Sequence, residues 1–107
     1  PDPGQIDAAA QIGAPVVELH TGSYAESMGS QRAVELERLH AGARQAAGLG
    51  IEVHAGHGLD YHNVQPVAAI AEIVELNIGH AIVSRAVFTG LDAAVRDMKT
   101  LMAAARA

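Results

Sequence analysis

Cysteine and tryptophan are both absent from the 107-residue sequence, and two Tyr and one Phe are its only aromatic residues. Without cysteine there is neither a disulfide scaffold nor a thiolate metal site, which fits a cytoplasmic protein. Basic residues are also few: seven Lys and Arg stand against twelve Asp and Glu, for a formal net charge of −5. The basic residues are scattered, so the basic patch of a nucleic-acid binder is missing. No apolar run approaches the roughly 18 residues that would cross a bilayer. The start lacks the basic segment, apolar core and cleavage site of a secretory signal. Neither nucleic acid nor membrane is therefore expected as a partner. An initiating Met is missing too: the chain begins at Pro1, and a processed or truncated product is expected.

What is there is apolar and rich in small residues. Half of the chain is hydrophobic and eleven residues are Gly, a globular composition in which helices pack closely on strands and backbone can approach a ligand. Pro1-Asp2-Pro3-Gly4 reads as turn chemistry. A short Ala-rich helix follows from Gln5 to Gln11, with Gly13 placed to stop it. Ala14 to His20 is a β-branched run ending in polar residues, read as a buried strand with functional groups at its C-terminal end. Thr21 to Tyr24 reads as a loop.

Val34, Leu36, Leu39, Ala43 and Ala46 make an apolar stripe on a helix over about Gln31–Ala47, which Gly48 and Gly50 end. Ile51–His54 is the second strand, followed by the Gly-flanked loop Ala55–Gly58. Asn63 can cap a short helix with Pro66 in its first turn, ending near Ala71. Ile73–Ile78 is the third strand. Ala81–Phe88 fits a short helix or a buried strand, and Gly79 favours the helix by breaking it from the strand before. Thr89-Gly90-Leu91-Asp92 has the form of a capping box. The last helix then carries the stripe Leu91, Ala94, Val95, Met98, Leu101 and Met102.

A helix followed by three strand–helix units predicts an α/β fold with a parallel, right-handed sheet. Three strands leave two open edges, a poor arrangement in isolation. All three strands close on polar residues or glycine, the end at which α/β proteins build active sites. Gly56-His57 and Gly79-His80 close consecutive strands, where glycine lets backbone N–H groups approach an anion and a helix beginning at Ala81 adds positive potential. Ordinary tight turns would look the same. Glu18, late in an apolar strand, is either paired structurally or used as an acid, base or electrostatic stabiliser. Of the six His, His57 is the best candidate for proton transfer, because glycines flank it at the functional end of a strand. His54, His57 and His62 do not have the spacing of a familiar metal site, and no carboxylate completes one. Arg85 could reach a phosphate or pair with a surface acid. The second reading is preferred.

The stretches Val16–Gly22, Ala55–Val64 and Glu75–Ile82, continued by Ser84–Leu91, resemble the last three strand ends of the pyridoxine 5′-phosphate synthase family, over nearly the whole chain. The resemblance implies a (β/α)₈ TIM barrel, of which this chain carries about the last three βα units. Residues 1–107 would then form the C-terminal segment of a single domain. It implies condensation of 1-deoxy-D-xylulose 5-phosphate with 3-amino-2-oxopropyl phosphate to pyridoxine 5′-phosphate and phosphate, with no metal or organic cofactor. It also implies phosphorylated substrates and self-association into an octamer. By the same resemblance His57 is the proton donor, Gly58 a substrate-binding position, Gly79 and His80 bind ligand phosphate, and Glu18 stabilises a transition state. Another catalytic histidine and a general-base glutamate would come from the N-terminal half of the barrel, so the chain alone is expected to be inactive. Two other readings stand beside this one: a different phosphate-binding barrel enzyme, and a non-catalytic assembly module whose open edges pair with another copy.

Overall fold

The computed structural model describes residues 1–107. In chain order the elements are α1 (Pro3–Gln11), β1 (Val16–His20), α2 (Gly22–Glu26), α3 (Gly29–Gly48), β2 (Glu52–Gly56), α4 (Val64–Ala68), β3 (Ile73–Asn77), α5 (His80–Thr89) and α6 (Leu91–Ala105). The strands form one parallel sheet in the order β1-β2-β3, as the strand–helix alternation predicts.

Strand residues alternate between two faces, and the two faces differ in chemistry. Val17 and Leu19 of β1, Val53 and Ala55 of β2, and Ile73 and Leu76 of β3 turn toward the helices. Val74 has no register partner, because Val53 pairs with Ile73 and His54 with Glu75. This bulge keeps both Ile73 and Leu76 on the helix side. The core gathers here, with Ile6 from α1, Leu39, Ala43 and Ala46 from α3, and Val67 from α4. Leu39, Ala43 and Ala46 form one stripe at helical spacing, and burying Leu39 alone stabilises by roughly 2 kcal/mol. Arg106, after α6, donates to the carbonyls of Ala68 (2.6 Å), Ile70 (2.7 Å) and Ile73, fastening the chain's end to β3.

The opposite face carries Val16, Glu18 and His20, then Glu52, His54 and Gly56, then Glu75 and Asn77. No helix covers it. Glu18, His54 and Glu75 stand in one row across the strands, with His20, Gly56 and Asn77 in the next. His54 bridges two carboxylates: its Nε2 lies 2.7 Å from Glu52 Oε2 and its Nδ1 3.1 Å from Glu75 Oε2.

Several local expectations are corrected. The first helix starts at Pro3, not Gln5: Asp2 accepts from the Gly4 N–H at 2.8 Å as an N-cap, and Pro3 takes the first-turn position where its missing N–H costs nothing. β1 is not buried on both faces, since Val16, Glu18 and His20 are exposed on the uncovered side. The segment expected as a loop after β1 forms the short helix α2, with the buried Tyr24 donating to the Asn63 carbonyl at 2.7 Å. Asn63 does not cap α4. Its side chain accepts from the Asp60 N–H (2.7 Å) and donates to the Gly58 carbonyl (3.1 Å), bracing the loop instead. The capping box fails because α5 runs on through Thr89, leaving only Gly90 before α6. Thr89 bonds back to the Arg85 carbonyl at 3.2 Å, and Asp92 pairs with Arg96.

Candidate active site

The C-terminal ends of all three strands open into one cleft of about 780 Å³. Glu18, His57, Gly58, Gly79 and His80, separated by up to 62 residues in sequence, all line it. The fold therefore brings together every site residue singled out in the sequence. Their chemistry divides along the cleft.

On one side lies Glu18. Its Oε2 accepts from Asn77 Nδ2 at 2.8 Å, so a side chain from β1 reaches one from β3 across the intervening strand. The residue beneath this bridge is Gly56 of β2, where a β-carbon would sit 2.6 Å from Glu18 Oε2 and 2.7 Å from the Asn77 carbonyl oxygen. Glycine is thus required at Gly56 by close approach; its φ is not in the positive range. The carboxylate is satisfied on one oxygen, and Glu18 lines the cleft.

At the centre lies the loop after β2. His57 has φ of 95° and Gly58 of 76°. The left-handed region is ordinary for Gly58 but uncommon for a residue with a β-carbon. A side chain at Gly58 would in addition meet Ala25 at 2.8 Å. The His57 imidazole is exposed in the cleft and stacks on His20, with ring centroids 4.3 Å apart and planes inclined by 27°.

On the far side α5 begins. Gly79 is its N-cap, no side chain caps the helix, and the space where a β-carbon would stand on Gly79 is open. His80 and Ala81, in the first turn where N–H groups lack a helical partner, line the cleft at the positive end of a ten-residue helix. Ser84 adds a hydroxyl one turn on. No Lys or Arg lines the cleft, so an anion here would be held by backbone N–H groups and the helix end. Such donors suit phosphate.

Arg85 is turned away from the cleft. Its guanidinium lies over the Tyr61 ring, 3.7 Å from the centroid, and pairs with Asp97 at 3.6 Å. The surface-pairing reading of Arg85 therefore holds. His54 lies on the uncovered sheet face, His62 is exposed, and no three His, Asp or Glu side chains converge as a metal-ligating set.

Sequence reasoning missed Asn77, His20 and Thr21. His20 had a usable signal: it follows Glu18 by two residues, so strand alternation places both on one face. Asn77 and Thr21 act through contacts 59 and 36 residues away, for which local sequence carries no signal.

Two comparisons bear on this cleft. A family model described as "Pyridoxal phosphate biosynthesis protein PdxJ" matches residues 1–104. Among curated relatives, the pyridoxine 5′-phosphate synthase of Xanthobacter autotrophicus is 56% identical over 110 residues, covering 99% of this chain and 43% of the relative. That of Colwellia psychrerythraea is 58% identical over 106 residues, covering 98% and 43%. That of Zymomonas mobilis is 55% identical over 107 residues, covering 100% and 42%. The chain spans less than half the length of the curated relatives it matches.

Proposed function

The chain belongs to the pyridoxal phosphate biosynthesis protein PdxJ family, and from that premise we propose that the complete protein carrying it is a pyridoxine 5′-phosphate synthase. It condenses 1-deoxy-D-xylulose 5-phosphate with 3-amino-2-oxopropyl phosphate, giving pyridoxine 5′-phosphate, inorganic phosphate and water. One observation carries this reading: a carboxylate, an imidazole and an unblocked helix N-terminus converge in a single cleft at the strand ends.

Each part has a task. The N–H groups at Gly58, Gly79 and His80 hold a substrate phosphate, with the start of α5 adding its positive potential. Schiff-base formation, dehydration and ring closure are a series of proton transfers. His57 supplies protons to leaving oxygen, the work of a group that can give and take a proton near neutral pH. Glu18, oriented by Asn77, stabilises positive charge that develops on the reacting nitrogen.

The proposal includes a (β/α)₈ barrel for the complete domain. Three parallel strands covered by helices on one face only, with a polar second face, have the pattern of a barrel wall whose inner side carries functional groups. Strands closing such a barrel also remove the open edges of β1 and β3. Self-association of the complete protein is part of the same reading, and native mass measurement tests it.

Turnover is tested with the complete protein and the two phosphorylated substrates, following pyridoxine 5′-phosphate by absorbance or mass. Formation of product supports the assignment. Binding of both substrates without product would favour the non-catalytic assembly reading. The 107-residue chain alone is expected to give no turnover, because it spans less than half the length of its relatives, and the further catalytic histidine and general-base glutamate that the resemblance implies would come from the rest of the barrel.

A further inference from the structure

We propose that His20, Thr21 and Gly22 form a clamp that positions His57 for proton transfer. The inference rests on the proton-transfer role proposed for His57 and deepens it.

His57 is the sole non-glycine residue with positive φ. Such a backbone persists only where its surroundings over-determine it, and it recurs at functional sites. The surroundings here come from the segment after β1. The Thr21 N–H donates to the Gly56 carbonyl at 2.9 Å, joining the two loops just before His57. The fully buried Thr21 hydroxyl then donates to the His57 carbonyl at 2.5 Å, holding the peptide that follows the strained residue.

The side chain is held separately from the backbone. The His20 ring stacks on the His57 ring, and His20 is itself oriented by the Gly22 N–H, which donates to its Nδ1 at 3.2 Å. A side chain at Gly22 would displace the stacked rings. A β-carbon there would lie 2.6 Å from His20 Cε1 and 3.1 Å from His57 Cδ2, inside the stack. Three consecutive residues thus act on His57: Thr21 on its carbonyl, His20 on its ring face, and Gly22 through the His20 ring. An exposed imidazole on a loop would otherwise turn freely about its side-chain bonds. Proton transfer depends on a donor held within hydrogen-bond reach of the substrate atom, and a misplacement of about 1 Å can cost about 100-fold in rate.

The test uses four variants of the complete enzyme. His20→Ala removes the facing ring, and His20→Phe restores a flat ring without nitrogens. Thr21→Val removes the hydroxyl at nearly constant shape, and Thr21→Ser restores it. The clamp predicts that His20→Ala and Thr21→Val lower kcat about 10- to 100-fold while KM changes less than about three-fold. His20→Phe and Thr21→Ser should recover most of the rate. If His20→Ala leaves the rate unchanged, the stacked ring does not position His57 and the clamp is wrong. An unchanged rate in Thr21→Val also overturns it. Should the wild-type enzyme give no pyridoxine 5′-phosphate, the functional reading fails and not the clamp. Crystal structures then decide the clamp without turnover: His57 should leave positive φ in Thr21→Val, and retention of that backbone overturns the proposal.

Discussion

Gly56→Ala changes one hydrogen for a methyl group, yet the structure assigns it a large effect. The new β-carbon would meet Glu18 Oε2 at 2.6 Å and the Asn77 carbonyl oxygen at 2.7 Å, each about 0.7 Å inside ordinary contact. The carboxylate can swing away, but only by breaking its 2.8 Å bond to Asn77. The carbonyl belongs to the backbone of β3 and moves only with the strand. Overpacking of this kind costs about 1–3 kcal/mol, and the lost hydrogen bond about 1 kcal/mol more at an exposed site. A total near 2–4 kcal/mol would lower the midpoint of a domain this size by on the order of 10–20 °C. Urea and thermal unfolding followed by circular dichroism measure it. Asn77→Ala is the matched control, because it breaks the same bond without a clash and should cost only about 1 kcal/mol. If Gly56→Ala unfolds within about 0.5 kcal/mol of the wild type, the bridge does not pass over Gly56, and the placement of Glu18 derived from it fails.

Other expectations follow from the same contacts. Gly79→Ala meets open space, so stability should stay within about 0.5 kcal/mol while phosphate binding, measured by calorimetry, weakens as the methyl enters the anion's approach. Unchanged affinity would argue against this site. Arg106→Ala strands the carbonyls of Ala68, Ile70 and Ile73 and should destabilise by about 1–3 kcal/mol in denaturant titration. Burial pushes the Tyr24 phenol above its usual range; Arg32 opposes this and Asp60 adds to it. Its folded-state pKa therefore exceeds its unfolded value near 10, so its contribution is fully present below that pH and lost as pH rises beyond it. Tyr24→Phe should remove this alkaline loss, at a cost of about 1–3 kcal/mol for the buried Asn63 carbonyl left without a donor.

The strands were legible because their signal is local, in β-branched runs and glycine stops at Gly13 and Gly50, and their parallel order followed from their alternation with helices. The cleft was legible for a related reason, since parallel strands deliver their C-terminal residues to one end whatever lies between them. Helix starts were less so. Pro1-Asp2-Pro3-Gly4 has the composition of a turn, yet Asp2 and Pro3 serve as cap and first turn. Thr89 has the spacing of a capping box, but the preceding helix already claims it. Asn63 has the composition of a cap, but its amide satisfies groups at Asp60 and Gly58 instead. In each case one residue type supports two local bonds, and tertiary contacts choose between them. The strain at His57 was hidden for another reason: a positive φ at a histidine arises from Thr21 and Gly56, which approach only when β1 and β2 pair.

Replacing His57 by Asn in the complete enzyme tests the division of labour in the cleft most directly. Backbone N–H groups at Gly58, Gly79 and His80 survive the substitution, whereas asparagine cannot carry a proton between substrate atoms. Steady-state kinetics should show kcat reduced about 10²- to 10⁴-fold, with the affinity for a phosphorylated substrate, measured by calorimetry, changed less than about three-fold. Equal losses in rate and affinity would contradict the account, because they would make His57 a phosphate ligand and not the proton donor.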